Sequence, residues 1–297
     1  QMMTTFNGNI TKTQLNFDEI SKLETLNDNN DIVVFVNAWK SNTSNENDVV
    51  SELESAYKCR GNVTLMVGYF LNISIITDVQ TWMTLDYIQT GAVISKAIND
   101  FVKVSKGSKL HLIGHGMGAH IAGAAGRKYA EISGNLLYRI TALDPAMLCY
   151  KEPQTISGLQ RGDAEFVDVI HSSAYGLGKE EPIGDVDFFP NGPSVLQPGC
   201  QNLICAHNQA IKYFAETIIP GNEKNFISEQ CNSIKNLGSN TCKQNQIAMG
   251  LSVPRSAKGN YFLKTKDKSP YGLNTDKTQN RSRRNGTFHG RWPLRVH

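Results

Sequence analysis

The 297-residue chain is 40 % apolar, enough to bury a sizeable core, which excludes disorder for most of its length. No apolar run approaches the roughly 20 residues of a membrane span, and Gln1 opens on no positively charged, apolar leader, so the sequence reads as a mature or trimmed form. The net charge of +3 sits in the last segment: residues 274–297 hold six Lys or Arg and one acid, leaving 24 basic and 26 acidic residues elsewhere. A nearly neutral body with a solvated, flexible basic tail is therefore expected, with no nucleic-acid partner.

In chain order, short apolar, β-branched runs at 32–36, 63–67, 110–113, 136–143 and 167–170 predict buried strands. Between them, residues 84–104 place Leu85, Ile88, Val93, Ile94, Ala97, Ile98 and Phe101 at three- and four-residue spacing, and 119–129 is a helix of small residues. Strands alternating with helices predict an α/β fold, a mostly parallel central sheet with helices on both faces. Residues 175–199, rich in Gly and Pro without clear periodicity, read as a long surface loop framing a site. No linker divides the chain before the tail, which carries a proprotein-convertase-like Arg281-Ser282-Arg283-Arg284.

Six cysteines, Cys59, Cys149, Cys200, Cys205, Cys231 and Cys242, form no Cys-x-x-Cys pair and stand beside no clustered histidines. Disulfides rather than zinc are expected, and no cofactor or metal is called for. Six glycosylation sequons begin at Asn9, Asn42, Asn62, Asn72, Asn280 and Asn285. Together the cysteines and sequons point to a secreted glycoprotein.

The chemistry is concentrated in Lys109 to Gly126, KLHLIGHGMGAHIAGAAG: an apolar strand, a tight Gly-x-x-x-Gly turn and a small-residue helix. That is the context of the nucleophile elbow Gly-x-Ser-x-Gly, with Gly114 and Gly118 flanking and Gly116 where serine would stand. The alternative, a dinucleotide-binding loop, needs a third glycine that Gly116-Met117-Gly118-Ala119-His120-Ile121 lacks. After the elbow come Asp144 at a strand end and His207 opening a helix, the chain order of α/β-hydrolases.

On these residues the segments IGHGMGAHIAGAAG, ITALDPA, GDVDFFPNGPSVLQPGC and CAHNQA resemble the pancreatic-lipase superfamily across about residues 31 to 220. LQRGDAEFVDVIHSSAYGLG, VDFFPNGPS, YFAETIIPGNEKNF and GNYFLKTKDKSPYG look like the lipase-derived yolk proteins of insect eggs, of fly and moth type. The resemblance implies a lipase-type α/β-hydrolase domain over 1–273 and a basic tail over 274–297, with too few residues after Gly272 for the second, β-sandwich domain of lipases. It places Gly116 at the nucleophile position, Asp144 at the acid, His207 at the base, and the Trp39 and Met117 amides at the oxyanion hole. The strand-end His-Gly usual before the oxyanion residue is here Asn37-Ala38, and glycine has no oxygen to attack an ester.

The same resemblance pairs Cys200 with Cys205 around a lid cut to four residues, and Cys231 with Cys242, which leaves Cys59 with Cys149. It implies an inactive lipase homologue stored as a nutrient reservoir in egg yolk granules, associating with copies of itself or with other yolk proteins. A second reading is a carrier whose vestigial acyl cleft holds a lipid or steroid conjugate. A third is a weak esterase or phospholipase, or an Asp144–His207 dyad that activates water; Gly116 argues against it.

Four smaller features carry plain structural readings beside their functional ones. Arg161-Gly162-Asp163 spells an integrin tripeptide but reads as a turn or ion pair. Phe188, Phe189 and Pro190 read as loop packing rather than a lipid pocket, and His120 and His171 as satisfied core residues rather than ligands.

Overall fold

The computed structural model describes residues 2–6, 13–15, 31–37, 49–61, 63–69, 79–104, 109–147, 158–236, 242 and 245–273. The strands are β1 (Met2–Phe6), β2 (Thr13–Leu15), β3 (Asp31–Asn37), β4 (Val63–Tyr69), β5 (Leu110–His115), β6 (Arg139–Leu143), β7 (Val167–Ile170), β8 (Val186–Pro190), β9 (Ile227–Cys231), β10 (Gln246–Ala248) and β11 (Gly259–Leu263). The helices are α1 (Val49–Arg60), α2 (Val79–Val104), α3 (Met117–Ser133) and α4 (Leu203–Ile218).

Among the described residues, all eleven strands join one sheet in the order β10-β9-β11-β8-β7-β6-β5-β3-β4-β1-β2. From β11 across to β4 every neighbouring pair is parallel. Only the borders, β9 and β10 on one side and β1 and β2 on the other, are antiparallel. The alternation of side chains along β5 builds the two layers: Leu110 and Leu112 pack with α2 and α3, and Ile113 with α1 and α4. The expected α/β architecture is thus present, and no described helix is long and apolar enough to cross a membrane.

One segment differs from expectation. Within the predicted surface loop 175–199 lies β8, buried at every position and paired with both β7 and β11. Phe188 and Phe189 are fully enclosed, Phe188 against Tyr261 and Phe189 stacked on His171 at 4.4 Å between ring centres. The Gly and Pro residues punctuate this strand rather than forbid it: Gly184 precedes it, and Pro190 and the Asn191-Gly192 turn close it. A smaller difference is that β6 starts at Arg139 rather than at 136.

Cys200 and Cys205 are bridged, with Cα atoms 5.5 Å apart, and so are Cys231 and Cys242, at 4.5 Å. Cys59 on α1 carries a free, exposed thiol, so the third expected pairing is not made at its described end; Cys149 lies outside the described residues. All six sequon asparagines, Trp39, and residues 274–297 also lie outside them.

Candidate functional site

The site forms where β5 turns into α3. Helix and strand can cross this closely because Gly114 and Gly118 have no side chain: a Cβ on Gly118 would stand 2.1 Å from the Val36 carbonyl oxygen of β3, and one on Gly114 would stand 2.3 Å from the Gly118 carbonyl oxygen. At the tip, Gly116 is left-handed, with φ 58° and ψ −120°. Met117 then opens α3 with the first-turn amides that have no partner inside a helix.

Asp144, just past β6, is fully buried and also left-handed, with φ 44°. Its carboxylate is caged. The amides of Ser172 and Ser173 donate to Oδ1 at 2.7 and 2.8 Å, the Ser173 hydroxyl donates to Oδ2, and His207 Nδ1 donates to the same Oδ2 at 2.5 Å. Burial alone would push the Asp144 carboxyl up, but these donors outweigh it and hold it below the usual carboxylate range. With Nδ1 committed to Asp144, the other ring nitrogen of His207 faces the elbow: a Cβ built on Gly116 would stand 2.8 Å from it. Asn202 caps α4 by accepting the Cys205 amide at 2.8 Å, so the short disulfide loop sets the helix that carries His207.

His115, the residue before Gly116, packs against His207 with the rings tilted by 43° and 4.3 Å between their centres, and donates from Nε2 to the His207 carbonyl oxygen at 3.2 Å. Burial, reinforced by the His207 charge, depresses its pKa to about 3. The structure thus brings Gly116, Met117, Asp144 and His207 together. It adds Ser172, Ser173 and His115, which the sequence reading passed over. The signal was available for the serines: a buried carboxylate past a strand end needs donors, and His171-Ser172-Ser173 follows the neighbouring strand β7.

The smaller features fall on their structural readings. Asp163 of the Arg-Gly-Asp turn is buried, pairs with Arg127 at 2.6 Å and accepts the Gln160 amide at 2.9 Å. His120 accepts the Leu159 amide at Nδ1 and donates from Nε2 to the Ala146 carbonyl. His171 bonds the Lys179 carbonyl and the Asp187 carboxylate.

Residues 3–271 match the family model "Lipase". The chain belongs to the lipase family. Among its relatives are insect vitellogenins: it is 43 % identical to Vitellogenin-3 of Drosophila melanogaster over 200 residues, covering 67 % of this chain and 48 % of that one. To Vitellogenin-2 of Ceratitis capitata it is 35 % identical over 262 residues, covering 86 % and 61 %. It is also 36 % identical over 160 residues to the inactive pancreatic lipase-related protein 1 of Homo sapiens, covering 46 % and 32 %. The chain thus spans only 48 to 61 % of the length of the two vitellogenins.

Proposed function

We propose that this lipase relative is a catalytically inactive yolk protein, secreted and laid down in the egg as a nutrient reservoir. The observation that carries the reading is the geometry at the elbow. The position that the family resemblance assigns to the nucleophile is Gly116, and His207 Nε2 stands 2.8 Å from where a Cβ would begin. The base has no hydroxyl to deprotonate and no space kept for one. Removing the serine of a serine hydrolase costs about 10⁶ in kcat, leaving little above the rate in water. The vitellogenin names of the relatives support storage, which asks for solubility and stability rather than turnover.

The test is fluorophosphonate labelling together with turnover of short- and long-chain esters by the purified native protein. Silence in both is expected; labelling or turnover above the buffer rate would overturn the reading. An organic extract of the same material separates plain storage from carriage, because a stoichiometric lipid or steroid conjugate in it would assign a cargo to the cleft.

A further inference from the structure

Three histidines lie within ten residues on β5 and α3, His111, His115 and His120, and all are buried. Their hydrogen bonds fix where their protons sit. The Thr141 hydroxyl donates to Asp168 at 2.8 Å, so the His111 ring, 2.7 Å away, must donate from Nε2 to that hydroxyl. His115 donates from Nε2 to the His207 carbonyl. His120 Nδ1 accepts the Leu159 amide at 3.0 Å, so its single proton lies on Nε2, toward the Ala146 carbonyl at 2.8 Å. A second proton on any ring must therefore go to Nδ1.

Each Nδ1 is a poor place for it. On His120 a proton would point at the Leu159 amide and break that bond, leaving the turn at 158–163 tied to α3 by Arg127, which reaches the Gly158 carbonyl and Asp163. The charges facing His120 are Arg127 of α3, itself paired with Asp163, and Lys179, with the Tyr87 ring of α2 alongside. On His111 the new cation would share a sealed core with Arg139, against the Asp168 carboxylate, the Phe214 edge of α4 and Tyr57 of α1, which feels both charges. On His115 it would press on His207, with Asp144 as the nearest counter-charge.

We infer that this β5–elbow–α3 segment is an acid switch, in which three histidines sealed as neutral rings hold the fold closed near neutral pH and loosen it when the surroundings turn acidic. The sign follows from the folded rings resisting protonation. Burial is the main cause at all three: it depresses His115 to about 3 and His120 to about 4, and with Arg139 beside it lowers His111 well below its ordinary value. Stability is complete above the unfolded histidine pKa of about 6.5 and is lost as pH falls below it. One group works the other way. Burial raises Asp163 to about 6 despite Arg127, so its protonation favours the fold.

At pH 5 each ring that stays neutral only when folded shifts the equilibrium toward unfolding by about 30-fold, and Asp163 opposes by about 10-fold. Urea titrations of the full chain at pH 7.5 and 5.0 should therefore give folding constants differing on the order of 10³-fold. His120→Gln keeps a donor and an acceptor but does not titrate, and should shrink that difference by about 30-fold. Should that variant not fold, the Cε1 proton resonances of the native protein decide. The three rings should not titrate between pH 7.5 and 5.0. A folding constant that is flat across this range, or a ring titrating near 6.5 in the folded chain, would overturn the switch.

Discussion

Strand β6 has a buried carboxylate near each end, and the two are built differently. At its start, Arg139 forks onto Asp168 of β7 at 2.7 and 2.8 Å, reaches the Gly250 and Leu251 carbonyls, and shares Asp168 with Thr141. At its far end, Asp144 is held by two amides, a hydroxyl and a histidine, with no cation locked against it. The first arrangement is a closed ion pair whose partners are both buried. The second leaves His207 partly open to solvent, its Nε2 turned to an elbow with no side chain. A carboxylate cage of this kind persists without a nucleophile because two of its four donors are backbone amides just past β7, and they remain wherever that strand end remains.

The largest expected effect breaks the closed end. Arg139→Met strands Asp168 as an unpaired charge in the core and should cost about 3–5 kcal/mol in urea denaturation. Asp144→Asn at the open end keeps the volume but removes the charge and turns one acceptor oxygen into an NH2 facing donors, so about 2 kcal/mol is expected. Equal losses at both ends would show that the Asp144 cage is as essential to the fold as the ion pair, and would erase the distinction between them.

The sequence made the open end legible and the closed end obscure. Gly114 and Gly118 mark the elbow because the close crossing of strand and helix requires glycine there, and the order of Asp144 and His207 then follows the family. Neither Arg139 nor Asp168 announces itself, because a charge at the start of a strand reads as solvated until its partner on the next strand is known. The missed strand β8 has the same cause. Asp187 interrupts Val186-Asp187-Phe188-Phe189, yet its carboxylate is buried against His171 and the Ile183 and Gly184 amides, a partnership with no sequence period. Helix α1 is legible only in part, since Val50, Leu53, Ala56 and Tyr57 repeat at helical spacing and are all buried, but polar residues fill the positions between them. The edge strands β9 and β10 are short and half-exposed, so no apolar run marks them.

The smallest effect is expected at the elbow itself. Gly116→Ser places a side chain on a backbone with φ 58°, where an L residue is strained, and begins that side chain 2.8 Å from His207 Nε2. The His207 ring can give way only by shifting, and the His115 ring packs against it at 4.3 Å. A loss of about 1 kcal/mol, the order of cost of such a backbone conformation, follows and is within reach of thermal or urea unfolding. Ester turnover should not appear, since a serine whose hydroxyl meets a crowded histidine is not aligned for proton transfer. A Gly116→Ser protein that is as stable as the parent and turns over esters rapidly would mean that Asp144 and His207 are a working base awaiting a nucleophile, and that the difference between the two ends of β6 is one of chemistry and not of structure.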